Sequence, residues 1–280
     1  TVTGVQTCAL PIFEDQKTMR TALAICEQMT ALSSKRNTHL ISIGGGITQD
    51  VTGFVATSLY RGIPWTFYPT TLLAACDSCI GGKSSLNYKG FKNLLGTFYP
   101  PDSVHIYPIF YQTLSVRDYS SGLGEVVKFH VIAGQDGFTH LERDIEALIA
   151  HDYTLLKRYI LSSLKFKKKF IEEDEFDQGI RILLNFAHTF GHAYEVVSNY
   201  SIPHGLAVAL GMMTANYISM KRGFLMPEYI GRIEQVCKKL FMGTEIQASW
   251  FQIEGILAAI RKDKKQVNYQ IGRASCRERV

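Results

Sequence analysis

Residues 39–46 read HLISIGGG: an apolar run from His39 to Ile43 that ends in Gly44, Gly45 and Gly46. Asp50 to Tyr60 follows, with Val51, Phe54, Val55, Ser58 and Leu59 at helical spacing. A strand, a glycine turn and a helix in that order gather backbone N–H groups and the positive end of a helix dipole at one point, where a phosphate can sit. A glycine triplet can equally be no more than a tight turn. Its surroundings favour more. Upstream, Thr18 to Leu32 has a helical period; downstream, Trp65 to Tyr68 reads as a second strand between Pro64 and Pro69, with Thr70 and Thr71 placed to cap the helix that follows. Helix, strand, helix, strand predicts an α/β layer on a parallel sheet.

From about Ser120 the strand pattern stops. Ser121 to Ile132, Tyr153 to Glu173, Arg181 to Val197, Gly205 to Arg222, Pro227 to Leu240 and Phe251 to Arg261 all repeat their apolar residues at 3.6. The second half is therefore expected to be all-helical, joined to the first through the proline-bearing stretch Tyr99–Tyr111. Two end strings stand apart. TVTGVQTCALPI (1–12) has no period, and GRASCRERV (272–280) is a basic tail without cap or apolar face. Both resemble translated sequencing-adapter sequence and are expected to be non-native. That leaves an α/β domain over 13–112, short at its N-terminal side, and a helical domain over 113–271, short at its C-terminal side.

A length of 280 residues allows one large domain or two ordinary ones. An apolar share of 46% with 20% charged residues excludes a disordered, collagenous or coiled-coil chain. No apolar run approaches the ~18 residues of a membrane span, and no basic segment followed by an apolar core suggests a signal peptide. A net charge of +5 is too mild for a nucleic-acid binder but suits a site for anions. Cys76 and Cys79 form a C-x-x-C with no second copy, in a segment that reads as a buried turn into a helix. Small buried thiols in a reducing cytoplasm account for it better than a redox pair or half a zinc site.

Two constellations carry chemistry. His188 and His192 are four residues apart and share one helical face. His204 opens the next helix after Pro203, and Glu125 lies on an earlier one. One carboxylate and two imidazoles with an open position form the pattern of a catalytic zinc site, although histidines so spaced can also be core or capping residues. The second constellation is cationic and polar: Lys83 and Asn93, with Arg61, Lys128, Lys167, Arg181 and Asn185 among apolar neighbours. Singly, each reads as a snorkelling surface residue. Together they suggest a pocket that neutralises several negative charges.

Six motifs then carry a resemblance. GGGITQDVTGF, YRGIPWTFYPTTLLAACDSCIGGKSSLN, KNLLGTFYPP, SGLGEVVKFH, EEDEFDQGIRILLNFAHTFGHA and PHGLAVALGM, in that order and spacing, resemble the 3-dehydroquinate synthase family and, more broadly, the sugar-phosphate cyclases. Glu14 and Lys17 resemble the family's Glu-x-x-Lys pair on the cofactor ribose. The resemblance covers most of 13–265. It implies a Rossmann-like nucleotide domain followed by a helical domain, and an enzyme that uses NAD catalytically with a divalent metal, usually zinc, with cobalt an alternative. It implies metal ligation by Glu125, His188 and His204, with His192 on the substrate. NAD contacts would come from Glu14, Lys17, Gly45, Gly46, Asp50, Thr70, Thr71, Lys83 and Lys92. Asp77, Lys83, Asn93, Lys128, Lys167, Arg181 and Asn185 would line the substrate site, with Lys264 as a late substrate lysine. Arg61 would reach a neighbouring subunit, implying a homodimer.

The implied reaction converts 3-deoxy-D-arabino-heptulosonate 7-phosphate to 3-dehydroquinate with loss of phosphate, a step of aromatic amino acid biosynthesis by the shikimate pathway. Two departures stand out: Ala187 replaces the glycine of the family's GHTFGH, and Leu206 replaces the glutamate of its HGE. Neither removes a ligand. Related cyclases act on sedoheptulose 7-phosphate or glucose 6-phosphate. Asn185 beside Arg181 and Lys167, which would hold a carboxylate, favours the heptulosonate. The rival class is a metal-dependent polyol or alcohol dehydrogenase of similar plan, which would not need the cationic cluster. A chain too short to build its NAD site is the non-catalytic alternative.

Overall fold

The computed structural model describes residues 13–261, in two units divided between Ile109 and Phe110. The expectations for the two tails and for Lys264 lie outside the described residues.

In the first unit, helix α1 (Met19–Ala31) begins where Thr18 accepts the Thr21 N–H at 3.3 Å. Strand β1 (Leu40–Gly44) runs directly into α2 (Gly46–Ser58). The helix thus starts inside the glycine triplet, earlier than its apolar spacing shows. Strand β2 (Trp65–Pro69) lies parallel to β1, with Leu40 opposite Trp65 and Gly44 opposite Pro69. A short parallel strand, Ser103–Val104, completes the sheet on the other side of β2. Val51 and Val55 of α2 are buried with Trp65, Phe67 and Leu72 in the core of this layer.

Between β2 and that last strand the chain departs from the expected helix. Cys76 and Cys79 lie in and just after a single π-helical turn, Ala74–Ser78, capped by Thr71. Both thiols are buried and donate to main-chain carbonyls of Leu73 and Ala75. The chain then forms an antiparallel hairpin of β3 (Lys83–Tyr88) and β4 (Phe91–Phe98). Its inward residues include Ser84, bonded across to Thr97 at 2.6 Å, so the apolar alternation that announces a strand is missing. The turn itself is Lys89-Gly90, with φ of +48° and +79°, the two-residue type whose twist suits a hairpin. The sheet-edge strand Ser103–Val104 is β5 in chain order.

The second unit has no strand among its described residues. Helix α3 (Val116–Ile132) is buried without interruption from Tyr119 to Val131, so other elements cover it on all sides. Helix α4 (Gln135–Ile149) is an addition to the sequence reading, although its buried Phe138, Leu141, Ile145 and Leu148 keep helical spacing. Helix α5 spans Tyr153–Glu173, as its period predicts. The helix expected over Arg181–Val197 is two pieces: a 3-10 segment, Ile180–Asn185, and α6 (His188–Val197). Ala187 between them has φ +68°, a left-handed turn that residue spacing cannot reveal. Helices α7 (His204–Lys221), α8 (Pro227–Lys239) and α9 (Ile253–Arg261) complete the unit. No helix among the described residues is long and apolar enough to cross a membrane.

Helices α3 and α7 meet backbone to backbone. A Cβ on Gly124 would lie 2.1 Å from the Gly205 carbonyl oxygen, and one on Gly205 would lie 1.8 Å from that of Ser121. The Gly205 N–H donates to Ser121 Oγ at 3.0 Å across the crossing. Only glycine admits this approach. It sets the neighbours of the two glycines, Glu125 and His204, side by side.

Candidate active site

Glu125 lies in the middle of the buried helix α3 and is itself fully buried. A carboxylate there must be paired. Lys128, one turn on and almost as buried, places Nζ 2.5 Å from Glu125 Oε2. His188 Nε2 lies 3.7 Å from Glu125 Oε1, and His204 Nε2 lies 3.4 Å from the same oxygen. The two histidines are the first residues of α6 and α7. Burial alone would push the Glu125 carboxyl up; Lys128 and then His204 outweigh it and hold it well below the usual carboxylate range.

Each imidazole is tied at its far nitrogen. His188 Nδ1 is 3.0 Å from the Phe186 carbonyl oxygen, and His204 Nδ1 is 3.0 Å from Glu195 Oε2. A proton on Nδ1 satisfies both contacts; burial opposes the charge of His204, but Glu195 and Glu125 outweigh it and push the imidazole up to about 10, so without a metal its Nε2 also carries a proton, which a metal would displace. One donor atom from each of Glu125, His188 and His204 lies within 4.8 Å of the others. Both Glu125 oxygens are sealed from water with no hydrogen bond of ordinary geometry. One carboxylate and two imidazoles that converge at a buried point fit a divalent metal such as zinc. His192 stands beside them, its ring centroid 5.4 Å from that of His188 and 5.8 Å from that of His204. A second set, His192, Glu195 and His204, meets the same spacing.

Lys167 on α5 and Arg181 on the 3-10 segment are buried, and the two elements pack together. Arg181 is fixed by its backbone and side chain: its N–H donates to Asp174 Oδ2 at 3.0 Å, and its guanidinium to the Glu175 carbonyl. Asn185, half-buried, ends that segment. His130, one helical turn beyond Val126, bonds the Val126 carbonyl and Ser162 Oγ, each at 2.8 Å.

The first unit holds a separate polar cluster. Lys17, buried, pairs with Asp50 at the first turns of α2 and donates to Asn93 Oδ1 at 2.6 Å. Ser85 Oγ bonds Asp50 at 3.1 Å and Asn93 at 2.9 Å. Asn87 Nδ2 donates to Glu14 Oε1 at 2.9 Å, and Lys92 Nζ lies 3.4 Å from the same oxygen. Burial pushes the Asp50 carboxyl up, only partly offset by Lys17. Gly45 is the N-cap of α2 and no side chain caps the helix, so its first-turn N–H groups remain available to an anion.

Comparison with known proteins agrees with this architecture. A family model described as 3-dehydroquinate synthase N-terminal matches residues 7–121, and one described as 3-dehydroquinate synthase C-terminal matches residues 122–266. The 3-dehydroquinate synthase of Dictyoglomus turgidum is 38% identical over 257 residues, which cover 91% of this chain and 72% of that protein. The chain belongs to the 3-dehydroquinate synthase family. It is an enzyme of that lyase family, with the dehydroquinate synthase-like fold that the motifs implied. Among solved structures, a 2-deoxy-scyllo-inosose synthase complexed with carbaglucose-6-phosphate, NAD+ and Co2+ superposes with a TM-score of 0.85 at 27% identity, over 93% of this chain and 71% of that one. ValA, a 2-epi-5-epi-valiolone synthase from Streptomyces hygroscopicus with NAD+ and Zn2+ bound, gives 0.82 at 26% identity, over 90% and 71%.

Within this family member, the residues named from sequence fall into two groups. Glu14, Lys17, Asp50 and Lys92, expected on the cofactor, share one cluster, and Asn93, expected on the substrate, joins them. Thr70 and Thr71 follow β2, beside the glycine turn: Thr70 N–H donates to Gly44 at 2.8 Å. A Cβ on Gly45 would lie 2.9 Å from Thr71 Cγ2, and one on Gly46 3.5 Å from Ser78 Oγ. Asp77 lies in the π-helical turn, and Lys83 is exposed at the start of β3. Arg61 is exposed on a strained bend where Tyr60, Arg61 and Gly62 all have positive φ. Lys128, Lys167, Arg181, Asn185, His188, His192, Glu125 and His204 belong to the helical unit. The sequence reading missed Ser85, Asn87 and Glu195. Glu195 had a signal, since it follows His188 and His192 on one helical face.

Proposed function

We propose that the chain is a 3-dehydroquinate synthase acting on 3-deoxy-D-arabino-heptulosonate 7-phosphate, with NAD as a recycled cofactor and a divalent metal, zinc before cobalt, held by Glu125, His188 and His204. The observation that carries this reading is the buried Glu125 facing two imidazoles whose far nitrogens are already occupied. The bound metal would supply Lewis-acid polarisation of a substrate hydroxyl, and NAD a reversible hydride acceptor. The cofactor ribose would meet Glu14, Lys17, Asp50 and Lys92, and its phosphates the uncapped start of α2 at Gly45 and Gly46, with Thr70 and Thr71 beside them. Lys167, Arg181 and Asn185 would hold the substrate carboxylate; Lys83, Asn93 and Lys128 would take the phosphate end, with Asp77, His192 and Lys264 completing the contacts. Arg61 would serve the site of a second copy in a homodimer. Cys26, Cys76, Cys79 and Cys237 carry reduced thiols, which suits a reducing cytoplasm.

The protein's work is to hold a two-anion substrate in one pose, so that the departing phosphate can remove a neighbouring proton. NAD would be regenerated, with no net oxidation of the substrate. The chain with NAD, zinc and the heptulosonate phosphate should release phosphate over many turnovers while NADH absorbance stays flat. NADH accumulating once per turnover would replace this reading by a dehydrogenase. Phosphate from glucose 6-phosphate or sedoheptulose 7-phosphate alone would keep the family and change the substrate.

A further inference from the structure

Three imidazoles and two carboxylates crowd one corner of the helical unit, and Glu125 is the carboxylate seen to face both proposed ligand histidines. Glu195 is the other. It sits two helical turns after His188 on α6, mostly buried, with Oε2 3.0 Å from His204 Nδ1. His204 needs such a partner more than His188 does. The His188 ring is buried and its Nδ1 is held by a main-chain carbonyl, which no substitution removes. The His204 side chain remains about a third exposed, at the first residue of α7, after a proline N-cap that offers no side-chain bond. Among the described residues, Glu195 bonds the ring nitrogen of His204 that faces away from Glu125.

We propose, resting on the metal reading above, that Glu195 is the positioning residue of the centre: it accepts the Nδ1–H of His204, selects the tautomer with a free Nε2, and aims that nitrogen at the metal. A carboxylate behind a ligand imidazole also makes the imidazole a better donor. Nothing in the role requires Glu195 to touch substrate or metal.

The test is zinc affinity, by chelator competition on the full chain, for wild type, Glu195→Gln, Glu195→Ala, His204→Ala, His188→Ala and His192→Ala. Melting temperatures in EDTA run alongside. Glu195→Ala should bind zinc about 10- to 100-fold more weakly than wild type. Glu195→Gln, whose amide oxygen can still accept the Nδ1–H, should recover part of that loss. Both should melt within a degree or two of wild type in EDTA, which separates positioning from a packing defect. His204→Ala and His188→Ala should lose zinc almost completely. Wild-type affinity in Glu195→Ala, with zinc lost in His204→Ala, would overturn the role of Glu195 and leave the metal reading intact. No zinc bound by wild type would overturn the metal reading itself. Zinc kept by His188→Ala but lost by His192→Ala would move the metal to His192, Glu195 and His204, and make Glu195 a ligand rather than a support.

Discussion

Adding one methyl group at Gly205 asks how much of the site depends on the crossing of two helices. The Cβ of Gly205→Ala would begin 1.8 Å from the Ser121 carbonyl oxygen and 2.7 Å from its carbon. Both atoms are main chain, so no rotamer change relieves the overlap. Opening the contact from 1.8 Å to the 3.0 Å below which real Cβ contacts essentially never fall requires about 1.2 Å of movement. The start of α7 must retreat from α3 by that amount, carrying His204 with it, and the Gly205 N–H to Ser121 bond is strained or lost. Overpacking costs about 1–3 kcal/mol and a buried hydrogen bond about 1 kcal/mol more. At about 2–4 °C per kcal/mol for a chain of this size, the metal-free melting temperature should fall by roughly 5–15 °C. Zinc sites tolerate ligand errors of only about 0.2 Å, so zinc affinity should fall by about 100-fold or more. Gly231→Ala is the control: it lies within α8 with nothing within 4 Å of the added Cβ, and alanine there should be neutral or stabilising by up to about 1 kcal/mol. Gly205→Ala that melts and binds zinc like wild type would refute the claim that this crossing places His204.

Ala187→Gly should raise the free energy of unfolding by up to about 1 kcal/mol, because alanine at φ +68° carries a left-handed penalty of about 1–2 kcal/mol while glycine adds unfolded-state entropy of smaller size; a lower denaturation midpoint would contradict this. His130 is buried and its pKa is lowered by that burial against its bond to the Val126 carbonyl. A neutral histidine in the fold and an ordinary one when unfolded gives stability that is full above about pH 6.5 and lost as pH falls through the folded pKa. Wild type should therefore lose more stability than His130→Gln between pH 7 and 5, followed by denaturant titration; equal losses would count against it.

The sequence was most readable where side chains repeat along one element. Helix α5 carries buried Leu156, Tyr159, Ile160, Ser163 and Lys167 on one face, and its ends, Tyr153 and Glu173, coincide with the period and with the Asp152 cap. Hairpin β3–β4 escaped the same reading because the inward face of β3 alternates Ser84, bonded to Thr97, with Leu86, and one buried apolar residue makes no pattern. The break before α6 escaped because it is a matter of backbone handedness at Ala187, and periodicity registers side chains alone. Residue types put Glu125, His188, His192 and His204 forward together, and the family resemblance chose among them, but the contacts behind the imidazoles were harder to read. The Phe186 carbonyl has no sequence signature, and Glu195 on a helix face reads by default as a solvated charge. Lys17 and Asp50 lie on different elements, so their pairing is a property of the folded unit alone.

The distribution of unfavourable features argues that this corner of the helical unit is kept for chemistry. A helix buried all round needs apolar residues at its middle, and α3 has Val126 and Val127 there, but Glu125 and Lys128 flank them. Well-packed apolar side chains would commonly stabilise a core as well as or better than a buried ion pair. One sealed carboxylate, one buried lysine and a left-handed alanine next to His188 all fall on the residues that surround the three imidazoles. Elsewhere in the unit, α4 and α8 follow the ordinary pattern, with apolar residues inward and an Arg232–Glu142 pair at the surface, Nε donating to Oε1 and Nη2 to Oε2. Broken local rules gathered on the residues around one cluster of imidazoles are what a functional site leaves in a structure. The glycine crossing of α3 and α7 supplies the mechanical side of the same argument. It brings two backbones closer than packing alone requires, and the residues it delivers to each other are Glu125 and His204.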